Sequence, residues 1–166
     1  MNNFNKKQKG FTLVEMIVSV FIVTTGIIGV FSLVSNFSQQ SQSVRDGTVA
    51  SYLAQEGIEI VKNIRDTNMI SGLAWDAGFS NCYDGCEVEY NSGSLVPWVG
   101  DGRFFYLDGT TGFYKYIETP VAGDIKTYYK RRLTITPVAQ DEMHLRIDIY
   151  YEGESLTFFS KIYNWQ

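Results

Sequence analysis

One carboxylate stands alone in the most apolar part of this 166-residue chain. Glu15 lies within the 24 residues from Phe11 to Val34, of which 16 are Phe, Leu, Val, Met or Ile. A charged group inside such a span costs about 2.5–3.5 kcal/mol at a membrane centre and less near its edge, so it is a functional residue by default. Other reactive residues are sparse. Cys82 and Cys86 are the only thiols, set as Cys-Tyr-Asp-Gly-Cys. The spacing is not that of a Cys-x-x-Cys redox pair, and two cysteines with a distant His144 do not make a tetrahedral metal set. In an extracytoplasmic setting they would close a tight disulfide loop, with Gly85 permitting the turn.

Lys126, Lys130, Arg131 and Arg132 form the densest basic cluster. With Tyr128 and Tyr129 they could contact the phosphates of DNA; a solvated strand face is the reading that the acidic total favours. Asp101, Asp108, Glu118 and Asp124 lie in or beside loops and could ligate Ca²⁺, yet no D-x-D-x-D-G spacing supports a site. There is one His, no G-x-S-x-G, no P-loop and no distinctive carboxylate pair. No enzyme activity, cofactor or metal is therefore expected, and His144 is read as an exposed side chain on a strand.

Composition narrows the classes further. Lys and Arg number 14 against 18 Asp and Glu, a net charge of -4, which does not suggest a basic nucleic-acid binder. Aromatic residues make up 15%, more than a disordered chain carries. The 15 Gly and 3 Pro follow no period, so a collagen-like or low-complexity chain is excluded. The length suits one domain. Mean hydropathy is near zero, but that is an average over unlike parts.

The element that must position Glu15 is a helix. Residues 11–34 would span roughly 36 Å at about 1.5 Å per residue, enough to cross a hydrocarbon core of about 30 Å. Lys6, Lys7 and Lys9 precede it without an acidic residue, which predicts an N-in, C-out orientation. The block exceeds the apolar core of about 7–15 residues in a secretory signal peptide, and no A-x-A-like site follows it. A plain signal anchor fits the length and flanking charge but leaves Glu15 unexplained. Residues 35–43 are rich in Ser and Gln, as where a helix emerges into water. From Val49 an amphipathic pattern resumes, with Val49, Leu53, Gly57, Ile60 and Ile64 in a stripe widened by Ala50, Ala54 and Val61. Gln55, Glu56, Glu59, Lys62 and Asn63 fall opposite. One helix from Phe11 to about Arg65 would be roughly 80 Å long. Gly26, Gly29 and Gly47 weaken it by about 1 kcal/mol each relative to Ala; local unwinding and close helix packing in a membrane account equally for Gly26 and Gly29.

From Asn68 onward the period changes from 3.6 to 2. Leu145, Ile147, Ile149 and Tyr151 alternate with polar neighbours, as do Leu133 and Ile135, so each reads as a strand with one buried face. The stretches 103–108, 112–118 and 156–165 are rich in Phe, Tyr, Ile and Thr, bounded by turn signals such as Asp108-Gly109 and Glu152-Gly153. They predict an antiparallel sheet of four or more strands on the amphipathic half-helix, joined to it by a loop-rich section at 72–102.

The string Lys9-Gly10-Phe11-Thr12-Leu13-Val14-Glu15 resembles the processing signal of type IV pilins and pseudopilins: a short basic leader ending in Gly, then Phe-Thr-Leu-(Val/Ile)-Glu opening an apolar helix. The match carries no substitution across these positions. The resemblance implies cleavage after Gly10 by a membrane-embedded prepilin peptidase and N-methylation of the new amino group on Phe11. It implies that Glu15 pairs with the Phe11 ammonium of a neighbouring subunit, each neutralising a charge otherwise stranded in the filament core. It covers about the first 35 residues strongly and the rest of the helix by architecture, including Ala54-Gln55-Glu56-Gly57-Ile58-Glu59. It does not cover the Cys82/Cys86 pair.

The expected fold class is thus α+β and pilin-like: a long N-terminal helix, membrane-spanning in its first half, packed on a C-terminal antiparallel sheet. The domains would be a cytoplasmic leader at 1–10, a transmembrane half-helix at 11–34, an amphipathic half-helix at 35–66 and an extracytoplasmic β domain at 67–166. The implied function is a structural subunit of a pilus or of a secretion or DNA-uptake filament. Its partners would be other pilin subunits, the peptidase, an inner-membrane assembly platform and the membrane itself. The precursor would be a single-pass cytoplasmic membrane protein and the assembled form an extracellular or periplasmic filament. Major pilin, minor pilin and pseudopilin share these features, and a minor or pseudopilin-like subunit is favoured. The alternative is a filament-tip or surface module recognising DNA, glycan or another surface through its aromatic-rich sheet.

Overall fold

A computed structural model describes residue 10 and residues 12–91 and 93–165 of the chain. It divides into two compact units, Met1–Val44 and Arg45–Gln166. The described part of the first is helix. Helix α1 runs Leu13–Ile70, and Thr12 opens it: its Oγ1 accepts the Glu15 backbone N–H at 3.3 Å, the usual N-cap bond to an orphan amide of the first turn. Ser19, Thr24 and Thr25 hydroxyls donate back to carbonyls one turn earlier, so these polar side chains satisfy themselves within an apolar surface. The membrane-grade stretch lies in this helix, with none of its most apolar window buried by the rest of the chain.

Among its described residues, the second unit is built on the C-terminal part of α1 and eight strands: β1 Cys86–Glu87, β2 Val96–Pro97, β3 Tyr106–Leu107, β4 Tyr114–Lys115, β5 Ile125–Lys126, β6 Lys130–Ala139, β7 Glu142–Tyr151 and β8 Glu154–Tyr163. They form a five-stranded sheet in the order β2-β1-β6-β7-β8 and a three-stranded sheet in the order β4-β3-β5, with every pairing antiparallel. The α+β, pilin-like class expected from the sequence is the fold observed. The long β6-β7-β8 meander carries the alternation: Leu133, Ile135, Met143, Leu145, Ile147 and Ile149 are all buried on its inner face. The tight β7–β8 turn places Glu152 at φ 46° and Gly153 at φ 84°, the two left-handed positions of a two-residue hairpin.

Three details depart from the expected elements. The helix ends at Ile70 rather than near Arg65, because Met69 is buried and the Asn68 Nδ2 donates to the carbonyls of Trp75 and Ala77, anchoring the chain that follows. The stretches 103–108 and 112–118 form only two-residue strands, and these belong to the smaller sheet rather than the main one. The section 72–102 holds β1 and β2 and a 3₁₀ turn at Phe79–Cys82.

Helix and sheet meet through small residues. Ala50, Ala54, Gly57 and Val61 form the buried stripe with Leu53, while Ile60 and Ile64 are only half-buried at its margin. Gly57 marks the closest approach. A Cβ there would sit 3.1 Å from Arg131 Cδ, 3.2 Å from Ile147 Cδ1 and 3.3 Å from Leu133 Cδ1. Replacing Gly57 by Leu should therefore push the sheet away and cost about 1–3 kcal/mol through overpacking. Urea unfolding of the full chain in detergent, followed by tryptophan fluorescence, measures this as a lower midpoint; an unchanged midpoint would mean that helix and sheet are not held this closely.

Candidate functional site

The processing signal and Glu15 occupy the first unit. Gly10 is exposed, and a Cβ built on it meets nothing within 4 Å, an open backbone that a protease can approach. Phe11 and the leader residues Lys6, Lys7 and Lys9 lie outside the described residues. Glu15 sits in the first turn of α1 on an exposed helix surface, and among the described residues its carboxylate makes no ion pair. Along the same helix Leu13 is 75% exposed and Phe21, Phe31 and Leu33 are 66%, 72% and 71% exposed. So much contiguous apolar surface requires a membrane or other helices to cover it.

The sheet unit redistributes the four basic residues. Lys130 and Arg132 fall at alternate positions of β6 and are half-buried, and Lys126 is exposed on β5, but Arg131 points the other way and is fully buried. Its Nη1 donates to the Leu53 carbonyl at 2.6 Å, its Nη2 to the Val88 carbonyl, and both reach Glu56 Oε1 at 3.2 Å. The guanidinium carbon lies 5.0 Å from the Phe105 ring centroid. Arg131 is thus withdrawn from any nucleic-acid contact, a correction to the basic-stripe reading. The reason is the strand period: it stands two residues before Leu133 and shares its inward face. The same contact draws Glu56, expected opposite the buried stripe, to the margin of the core.

On the outer face, Lys126 Nζ and Lys130 Nζ lie 4.7 and 4.3 Å from the Phe104 ring centroid. Arg132 stands 5.8 Å from the Trp98 ring and donates from Nη2 to the Asp84 carbonyl at 2.7 Å. Asp84 belongs to the loop closed by Cys82 and Cys86, whose sulfurs form a disulfide with Cα atoms 4.7 Å apart; Gly85 takes φ 105° there. The loop therefore braces an outer-face arginine.

Several buried carboxylates were not singled out by sequence. Asp46 accepts hydrogen bonds from the hydroxyls of Tyr128 at 2.7 Å and Tyr129 at 3.1 Å, fixing the first turn of α1 in this unit to the start of β6. Burial, reinforced by these hydroxyl and carboxylate contacts, pushes the Tyr129 hydroxyl well above the usual phenol range. Glu87 receives both the backbone N–H and Nε of Arg103 at 2.6 Å. Asp148 accepts from Thr157 Oγ1 at 2.6 Å and from Arg146 Nε at 3.0 Å. Sequence spacing held no signal for the Asp46 and Glu87 contacts, since their partners stand far along the chain. Arg146 and Asp148 are two apart on one strand face, which was a readable hint.

The four acidic loop residues do not come together as a cation site: among the described residues no group of three or more metal-ligating side chains is found. Asp108 pairs with Lys115 and caps the Thr110 and Thr111 amides at 2.7 and 2.9 Å, while Asp124 accepts from the Gly109 and Val121 amides. The Lys115 ammonium, helped by the two amides, holds the Asp108 carboxyl down to about 2. Its folded value lies below its unfolded one, so its contribution is present above the ordinary carboxylate range and is lost as pH falls through about 2. A carbon-detected titration should give Asp108 a midpoint near 2; a midpoint near 3.8 would mean that the Lys115 pair does not form in solution. His144 is exposed, with Nε2 3.0 Å from Glu142 Oε1.

Residues 5–31 match the family model of the prokaryotic N-terminal methylation motif, the signal of type IV pilins and pseudopilins. That match, the long apolar helix and the antiparallel sheets it packs on give the chain the pilin-like architecture, and they fit a membrane-anchored precursor. Comparison with the curated proteins and with the solved structures found no match.

Proposed function

We propose that the chain is a structural subunit of a type IV pilus or a related secretion or DNA-uptake filament, of the minor-pilin or pseudopilin kind. It is made as a prepilin with a leader at 1–10, cleaved after Gly10 and N-methylated on Phe11. The observation that carries this is the single carboxylate, Glu15, opening an exposed apolar helix directly after the Gly10-Phe11 junction within a methylation motif. The half-helix at 11–34 would anchor the subunit in the cytoplasmic membrane, N-in and C-out, and then line the filament core. Residues 35–66 and 67–166 would stand outside the cytoplasm. The Cys82–Cys86 disulfide supports an oxidising compartment for them. Its partners are other pilin subunits, the prepilin peptidase and the inner-membrane assembly platform.

Mechanically sheared filaments from cells making an epitope-tagged full-length chain test the filament role. The tagged subunit should sediment with the filaments and vanish from that fraction when the prepilin peptidase is deleted. Equal recovery in the sheared fraction without the peptidase would contradict the proposal.

A further inference from the structure

The outer side of the sheet unit holds a groove of about 750 Å³ between the 98–104 loop, the start of β6 and the β7–β8 turn. Of its thirteen lining residues, five are aromatic and five are ionic. Trp98, Tyr128 and Tyr150 supply ring faces, Lys130 and Arg132 supply donors, and Asp101, Glu152 and Glu154 supply acceptors. We propose that this groove binds a neutral pyranose oligosaccharide. The inference concerns residues 45–166 alone and does not rest on the filament role.

The rings are held in place before any ligand arrives. Trp98 and Tyr150 lie with centroids 6.1 Å apart and planes tilted by 43°, two adjoining platforms at an angle rather than one flat stack. Trp98 Nε1 donates to the Gly100 carbonyl at 2.9 Å, and the ring lies so close over Gly102 that a Cβ there would collide with it. Tyr128 is fixed through its hydroxyl on Asp46. Apolar ring faces pre-ordered in this way suit the C–H faces of pyranose rings, and little side-chain freedom is lost on binding.

The polar groups then select the ligand's charge. A sugar hydroxyl both donates and accepts, so it is served by a site holding cationic donors and carboxylate acceptors together. Lys130 and Arg132 are already engaged by the Asp101 and Asp84 carbonyls at 3.1 and 2.7 Å, which orients them without neutralising them. Among the described residues, Asp101, Glu152 and Glu154 take part in no ion pair; Glu154 already engages the Tyr151 hydroxyl, which leaves Asp101 and Glu152 as acceptors toward the groove. Three carboxylates stand against Lys130 and Arg132, and Lys126 lies close by over the lining ring of Phe104. The field that decides is that of the whole unit, since residues 45–166 carry 11 Lys and Arg against 17 Asp and Glu. A nucleic acid, which would profit from the rings by stacking, is disfavoured by that net negative charge. A neutral oligosaccharide meets the rings without meeting the field.

Full-length protein in detergent is titrated with maltohexaose, cellohexaose and chitohexaose, and separately with a twelve-residue oligothymidylate, by isothermal calorimetry. At least one neutral hexasaccharide should bind, with an affinity that changes less than twofold between low and high salt. Trp98→Ala and Tyr150→Ala should each weaken it tenfold or more, and Glu152→Gln by a smaller factor, with the circular dichroism of all three unchanged. Trp98→Phe, which keeps a ring, should retain most of the binding if the folding of the Ala variant is in question. No binding of any of the three sugars at millimolar concentration would overturn the proposal. So would salt-sensitive binding of the oligothymidylate in their place, or sugar binding that survives the Trp98→Ala, Tyr150→Ala double change.

Discussion

Replacing Glu15 by Ala should leave cleavage after Gly10 largely intact and abolish incorporation of the subunit into filaments. On the proposed function the scissile bond would lie between Gly10 and Phe11, with four residues between it and Glu15, and the peptidase would meet an exposed Gly10. Assembly is another matter. On the proposed function, cleavage would leave an ammonium on Phe11, and in a core of apolar helices that charge would have few partners. A Glu15 carboxylate from the next subunit would offset it and set the axial register; without it a lone cation would be buried, at a cost of about 3–5 kcal/mol for breaking such a pair. That is a 10²–10³-fold or larger penalty per subunit, repeated along the filament. Glu15→Gln keeps the shape and the hydrogen-bonding capacity but not the charge, and should fail nearly as completely. Glu15→Asp should be intermediate. Immunoblots of sheared filaments against whole cells separate cleavage from incorporation, and normal incorporation of the Ala variant would show that the pairing argument is wrong.

The second large effect is expected at Arg131. Truncation to Ala removes a fully buried side chain, opens a cavity against Gly57 and leaves the Val88 carbonyl without its Arg131 donor. Cavity and lost polar partners together should destabilise the sheet unit by about 3–5 kcal/mol. Arg131→Met is the informative comparison. It fills most of the volume without a charge, and replacing a buried ion pair by a packed apolar side chain is often neutral or stabilising. Glu56 can accept this change because its side chain is 34% exposed and can turn to water. Chemical denaturation of the full chain in detergent should therefore rank the Met variant well above the Ala variant. Equal destabilisation by both would mean that the guanidinium's hydrogen bonds, not its bulk, hold helix to sheet.

Arg131 also shows where sequence reasoning stopped short. Period 2 through Leu133 and Ile135 already pointed it inward, but its charge grouped it with Arg132 and Lys130 on the surface. The long β6-β7-β8 meander was legible because each strand runs for 10 residues, enough for alternation to show, with Glu152-Gly153 marking a turn. Strands of two residues, such as Tyr106–Leu107 and Tyr114–Lys115, have no period to read. Their positions follow from packing of Phe105 against Tyr114 and Tyr116, which only the folded chain reveals. The helix stripe was legible in phase but not in width, since its contact line runs through Ala50, Ala54 and Gly57 rather than through the larger Ile60 and Ile64. The groove around Trp98 and Tyr150 joins residues 52 positions apart in an order no spacing rule encodes. The place of Glu15 in the first turn of an exposed apolar helix, by contrast, was legible, because the 16 apolar residues around it leave few other elements to form.

On the proposed function, this chain is a prepilin cut between Gly10 and Phe11. Intact-mass and N-terminal fragment spectra of the protein extracted from cells with an active prepilin peptidase test it most directly. The extracted protein should begin at N-methylated Phe11, with residues 1–10 absent. A protein that still carries Lys9-Gly10 ahead of Phe11, or whose Phe11 amine is new but unmethylated in cells that methylate their other pilins, would contradict it.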